Sequence, residues 1–291
     1  MKKVLCIFRA ACYSPGMVER DEAILRAVAK RLECAGYMVS LVHEEDFTSA
    51  MPIPDIVLHM ARSSRVLDIL QTWQEIGCRV INSVNGVRSI ERAALAEFCA
   101  MQGILTPKTW IVNTGCYDLI ARTTDGQIEA ISFPCWVKRA GDCAQQSDDV
   151  CRVSDAVEYS QCLTRFYARG IARAVVMEHL EGHCVKFYSV QGTGFFYWID
   201  ADKLGYDKFS GSSSAVNGDV CEANDRELSL NLQCVMHKSP LEIYGGDVII
   251  DSNGVAHLID LNDWPSFSVC REEAAEAIVR LIKNVFFDHQ P

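Results

Sequence analysis

No two of the fourteen cysteines stand in a Cys-x-x-Cys spacing. The closest pairs are Cys6 with Cys12, Cys135 with Cys143 and Cys143 with Cys151, too open for the ligand pairs of a structural zinc site. No export signal is expected either. Arg9 closes the N-terminal apolar run Val4–Phe8, which falls short of the ~7–15 residues of a signal-peptide core. No uncharged stretch approaches the ~18 apolar residues that a membrane span needs. The expectation is a cytoplasmic protein with reduced, buried thiols and no membrane partner. Excess positive charge is also lacking. The 28 Lys and Arg residues against 38 Asp and Glu leave a net charge of −10, with a pI near 5.2. That argues against a general nucleic-acid binder, because phosphate backbones need a basic face. A local basic pocket for one small phosphorylated ligand is not excluded. There is no internal repeat, no low-complexity tract, and no recognisable Ser-His-Asp or Cys-His nucleophile.

What is present is an ordinary folded composition, with 49% hydrophobic and 23% charged residues. The 291 residues suit two domains, or one with an appended lobe. The first ~85 residues alternate strand and helix patterns. Strands are expected at Val4–Phe8, Met38–Val42, Ile56–Met60 and Arg79–Ile81. The helix between the first two carries Ile24, Val28 and Leu32 and ends before Gly36; the next, capped by Ser63 or Ser64, carries Leu67, Leu70 and Trp73 and stops at Gly77. Single helices between strands imply a parallel sheet covered on both faces. A further helix is expected from Ser89 to Gln102, ended by Gly103.

Strands predominate beyond it, at Thr109–Val112, Cys135–Lys138, Ala174–Glu178, Val185–Val190 and Phe195–Asp200, with one helix at Ser154–Tyr167. Asp247–Asp251 and Val255–Leu261 flank Ser-Asn-Gly, a hairpin signal because Asn-Gly tolerates positive φ. The final helix is Glu272–Phe286.

Three polar features stand in apolar strands. Asp247 precedes Val248-Ile249-Ile250, and Asp260 and Asn262 lie two apart on its hairpin partner, hence on one face. Two carboxylates and an amide carbonyl on neighbouring strands form an all-oxygen set suited to Mg²⁺; polar strand ends beside a turn are the alternative. Lys138 ends the apolar strand after Phe133-Pro134, as a phosphate-binding point charge or as a solvated end. The segment Met177-Glu178-His179-Leu180-Glu181-Gly182 leaves an apolar strand as a short polar hinge, able to read a flat base by its backbone or to serve as a plain loop exit.

The order of these pieces resembles the ATP-grasp superfamily, in its glutathione-synthetase-like, ribosomal-protein glutamate ligase type. The matched run is Ile81-Asn82-Ser83, the helix with Glu91-Arg92, Gly103-Ile104 to Pro107-Lys108-Thr109, Phe133 to Lys138, the hinge, and Asp247 with Asp260-Leu261-Asn262. The resemblance implies an α/β N-terminal preparatory domain with a parallel sheet over 1–85, followed by a two-lobed α+β ATP-grasp domain. Its linker helix and small nucleotide-binding lobe would occupy 86–180, and its metal-binding lobe 181–291.

It also implies roles. Lys138 and Arg92 would bind ATP phosphates, Arg92 where the family has lysine. Glu178 and Leu180 would contact adenine, and Cys184 stands where an acidic residue usually meets the ribose. Asp247, Asp260 and Asn262 would hold Mg²⁺, with Mn²⁺ as the alternative metal. Read from position instead, Arg62 beyond the Ile56–Met60 strand is placed to reach a cleft at the strand ends, and Lys186 and Lys208 to meet phosphate or substrate anions, with solvated surface charge as the alternative for each; the stretch 209–218 reads as a loop over substrate or a solvent-facing linker. The loop after Lys138 departs from the family pattern in its single early glycine, Gly141. The implied activity is an ATP- and Mg-dependent ligase that activates a small carboxylate as an acyl phosphate for attack by an amine, or less often a thiol. A small-molecule kinase of the inositol-phosphate type and a non-catalytic nucleotide-binding relative are the alternatives. A homodimer is compatible with the sequence.

Overall fold

The computed structural model describes residues 1–141, 146–201, 232 and 237–287. The chain opens with β1 (Lys3–Phe8), α1 (Val18–Cys34), β2 (Met38–His43), β3 (Ile56–His59), α2 (Ser64–Glu75) and β4 (Arg79–Ile81). The four strands are parallel in the order β2-β1-β3-β4. β1 and β3 are buried on both faces, which is why each reads as an unbroken apolar run. On one face lie Ile24, Leu25, Val28 and Leu32 of α1. On the other lie Val66, Leu67, Leu70 and Trp73 of α2. All four strands fall where the sequence places them.

The next helix does not. One helix was expected from Ser89 to Gln102, whereas the chain forms α3 (Val84–Ser89) and α4 (Arg92–Gln102). Ser83 starts α3, its Oγ accepting from Gly86 N at 3.1 Å. Glu91 then adopts extended backbone (φ −54°, ψ 137°) and breaks the path. Ile90 and Leu95 are buried in one core on either side of the break, so the apolar pattern continues where the hydrogen-bond ladder does not.

A second layer follows: β5 (Thr109–Asn113), the hairpin β6 (Ile120–Arg122) and β7 (Ile128–Ala130), β8 (Cys135–Arg139), β9 (Val150–Val153), α5 (Ala156–Ala168) and β10 (Arg173–Glu178). Its antiparallel sheet runs β5-β10-β8-β9, with Tyr159, Cys162, Leu163 and Phe166 of α5 in its core. β6, β7 and β9 went unread in the sequence. They are three or four residues long, and β6 and β7 bury little, so they carry too few alternations to register.

The third layer is β11 (His183–Val190), β12 (Phe195–Asp200), β13 (Ile243–Ile250) and β14 (Ala256–Asp263), in the antiparallel order β12-β11-β13-β14, closed by α6 (Arg271–Phe287). Val185, Phe187, Val248 and Leu258 join the core under α2, while Tyr188, Val190 and Ile243 join the core of α1 and α6. The first and third layers thus share two cores.

Asn82 stitches them together. Its buried amide accepts from Glu242 N and Ile243 N, both at 2.8 Å, and donates to Ile243 O at 2.8 Å. β13 begins four residues before the expected Asp247, because Gly245-Gly246, which reads as a break, belongs to the ladder. A Cβ at Gly246 would meet Asp260 O at 2.3 Å and Phe187 Cζ at 2.7 Å, so only glycine fits there. β14 likewise extends past the expected Leu261 to Asp263. No helix among the described residues is long and apolar enough to cross a membrane.

Candidate functional site

Lys186, Asp247 and Asp260 form one cross-strand row, each directly opposite the next in register on β11, β13 and β14. Asn262 follows Asp260 by two residues and Cys184 precedes Lys186 by two, so all five share a face. Directly opposed side chains sit roughly 5 Å apart at Cβ, where like charges repel. Lys186 relieves part of that strain, its Nζ lying 2.5 Å from Asp247 Oδ1. Burial pulls the Lys186 ammonium down, but Asp247, with Cys184 and Asp260 behind it, outweighs burial and holds its pKa above the usual lysine value. Asp260 Oδ1 accepts from Leu261 N at 3.1 Å.

The register shifts between Asp247 and Val248: Asp247 pairs with Asp260, and Val248 with Leu258. Ile259 is left over as a β-bulge. Its carbonyl points across to β8 and accepts from Lys138 Nζ at 2.9 Å. Lys138 is buried, and among the described residues Met177 Sδ, at 3.7 Å, is its other hydrogen-bond contact. Both acceptors are neutral. Burial lowers the pKa of this ammonium; Asp260 and Asp247 oppose the shift through space, and Arg92 adds to it. Arg92, the first residue of α4, reaches Arg139 O at 3.4 Å. Arg92, Thr106, Lys138, Val175, Met177 and Asp260 line a cleft.

A charge buried against neutral groups costs stability. Lys138→Met is therefore expected to raise the unfolding free energy by about 1 kcal/mol, read from the urea midpoint, because the thioether fills the same channel without desolvating a charge. A less stable variant would mean that the Ile259 contact outweighs burial.

At the hinge, Glu178 N donates to Lys108 O at 2.9 Å and His179 N to Pro134 O at 3.2 Å. Trp136 Nε1 donates to His179 Nδ1 at 3.1 Å, and Leu180 is half-buried. A Cβ on Gly182 would meet Ile250 O at 2.2 Å, so the glycine lets the hinge close against the end of β13.

The remaining described candidate is Arg62. Arg62 follows the carboxyl end of β3 as expected, but its guanidinium turns inward to the fully buried Asp263. Glu44 holds the loop, its Oε1 accepting from Arg62 N at 3.0 Å and Ser63 N at 2.6 Å, and its Oε2 from Ala10 N at 3.0 Å. Arg9 bridges Asp21 Oδ2 at 3.2 Å and Asp263 O at 3.1 Å. His59 beside them is buried; burial lowers its pKa, and Nε2 lies 2.8 Å from Asn82 O.

Sequence reasoning missed Arg9, Glu44, His59 and Asp263. Arg9 and Asp263 carried a signal, a charge ending an apolar run and a third acid beside Asn262. Lys208, the stretch 209–218 and residues 142–145 of the loop after Lys138 lie outside the described residues. Among the described residues no group of three His, Cys, Asp or Glu side chains is placed to hold a metal ion; the set at hand is two carboxylates and an amide.

No protein-family model matches the sequence, and no curated protein sequence matches it. Solved structures do match in fold. D-alanine–D-alanine ligase from Bacillus anthracis complexed with ATP superposes with a TM-score of 0.70 at 12% identity, covering 100% of both chains. VanG D-Ala:D-Ser ligase from Enterococcus faecalis gives 0.68 at 10% identity, covering 97% of this chain and 98% of that one. The RimK domain protein ATP-grasp from Sphaerobacter thermophilus gives 0.65 at 13%, covering 96% and 99%.

Proposed function

We propose that this chain, which has the ATP-grasp fold over its whole length, is an ATP- and Mg-dependent ligase joining a small carboxylic acid to an amine. One observation carries the reading: a buried lysine with neutral partners meets an oxygen-donor row at the Ile259 bulge. The fold neighbours that are ligases support it. In this reading residues 1–85 are the preparatory domain, 86–180 the linker helix and small lobe, and 181–291 the metal-binding lobe.

The substrate carboxylate attacks the γ-phosphorus of ATP, giving an acyl phosphate and ADP. The amine then attacks the acyl carbon and expels phosphate. No protein nucleophile is needed; the protein's task is charge neutralisation and alignment. Lys138 and Arg92 hold phosphate oxygens from the β8 and α4 sides of the cleft. The backbone at Glu178 and Leu180 holds adenine, and Cys184 lies toward the ribose. Lys186, beside Asp247, offers a second cation on the site face, while Arg62 acts through Asp263 on the end of β14; Lys208 is kept as a candidate for the substrate anion.

The donors of Asp247, Asp260 and Asn262 fit Mg²⁺, since all are oxygens and two opposed carboxylates favour a hard cation between them. A bound Mg²⁺ would supply charge neutralisation on the phosphate oxygens.

The test is ADP release from Mg-ATP over a panel of amino acids, small carboxylates and amines. Release that requires both an acid and an amine is the expected result. Transfer of labelled phosphate to a stable product would instead identify a kinase, and nucleotide binding without ADP under every mixture would overturn the enzyme assignment.

A further inference from the structure

The middle layer holds a pair of thiols that plays no part in the chemistry above. Cys151 lies half-buried on β9, the edge strand of its sheet, with its side chain toward α5. Cys162, on the buried face of α5, belongs to the core against which Cys151 packs. Arg165, one position short of a full turn further along α5, brings its guanidinium to 3.9 Å from the same sulfur. Asp148 O accepts from the Cys151 thiol at 3.2 Å. One sulfur is thus reachable from solvent, stands beside a cation, and has a second thiol behind it.

We propose that Cys151 and Cys162 are a peroxide-reactive dithiol, with Cys151 the attacking sulfur and Cys162 the resolving one. The Cys151 thiolate attacks the O–O bond of a hydroperoxide. An S–O bond forms, the O–O bond breaks, and the departing oxygen takes a proton, leaving a sulfenic acid. The Cys162 sulfur then attacks Cys151. The S–S bond forms, the S–O bond breaks, and the leaving hydroxide takes the Cys162 proton as water. Two thiols and one hydrogen peroxide give one disulfide and two waters, with the two electrons accepted by the peroxide.

The electrostatics support the assignment of roles. The neighbouring Cys162 thiol, then Arg165, holds the Cys151 thiol well below the usual thiol range, against the opposing effect of burial. The Cys151 thiol, then burial, pushes Cys162 up. The other buried thiols differ: burial takes Cys6, Cys99, Cys135 and Cys270 to about 12 and Cys78 to about 11, where they stay protonated and inert. The site is independent of the ligase reading, although Val150, next to Cys151, is the register partner of Lys138.

The full-length chain is treated with hydrogen peroxide, the remaining thiols are alkylated, and the digest is mapped without reduction. The expected product is a peptide linked through Cys151 and Cys162. Cys162→Ser should leave a dimedone-reactive sulfenic acid at Cys151, and in the untreated wild type Cys151 should alkylate at pH 7 roughly tenfold faster than exposed Cys12 or Cys34. Oxidation first at Cys12, Cys34 or Cys116, or a bond from Cys151 to another cysteine, overturns the proposal. The wild-type map decides the matter even if the serine variant fails to fold.

Discussion

Asp260→Asn is expected to abolish Mg-ATP turnover, a loss of more than about 100-fold, the scale seen when one preorganised charge-stabilising group is removed from a transition state. The substitution keeps the volume and an oxygen that accepts from Leu261 N, a bond of 3.1 Å in the native chain. It removes one of the two opposed charges in the row Lys186–Asp247–Asp260. Asp247 is already paired with Lys186 at 2.5 Å, so Asp260 is the carboxylate of the row with no lysine or arginine ion partner among the described residues. Loss of its charge also takes away the leading electrostatic support for the buried Lys138 ammonium. ADP release measures the effect, and a urea melt within about 1 kcal/mol of wild type shows that the fold is intact, as expected for an isosteric change on a half-buried strand residue. Wild-type turnover in a folded variant would remove Asp260 from the site.

Asn82→Ala is expected to cost about 3–4 kcal/mol of stability. The alanine deletes three hydrogen bonds of 2.8 Å and strands Glu242 N and Ile243 N near the start of β13, while Ile243 O keeps the Trp264 N donor at 3.3 Å. Ile243 is fully buried, and an unsatisfied buried backbone group costs about 1–3 kcal/mol. Against a total stability of about 5–15 kcal/mol, the loss should bring unfolding close to growth temperature. Denaturant unfolding measures it. A loss below about 1 kcal/mol would mean that water or a shifted strand satisfies the stranded groups. Asn82→Asp tests less cleanly, because it keeps the acceptor but buries a charge.

Most of the frame is legible in the amino-acid order because it rests on local pattern. Val4–Phe8 is apolar on both faces, and Ile24, Val28 and Leu32 repeat at helical spacing. The Asn-Gly turn is also local: Asp251 Oδ1 closes it from Asn253 N and Val255 N. The oxygen-bearing row was legible because alternation puts Asp260 and Asn262 on one face.

Features set by partners far along the chain were not. Lys138 and Ile259 lie 121 positions apart, and their contact depends on a bulge that leaves no mark in composition. Arg62 reads as a free cation at a strand end until Asp263, 201 positions later, meets it. Gly245-Gly246 reads as a stop because glycine weakens strands, and only the approach of Asp260 O and Phe187 shows why no larger residue fits.

The cores shared by the first and third layers bear on motion. Those layers interlock through both faces of the β11–β14 sheet, whereas the middle layer keeps Trp110, Tyr159 and Phe166 in a core of its own. Any relative shift of the layers is therefore expected between the middle layer and the interlocked first and third layers. β8 carries Lys138 and β14 carries Asp260, so such a shift would part or join the opposite charges on which the proposed chemistry relies.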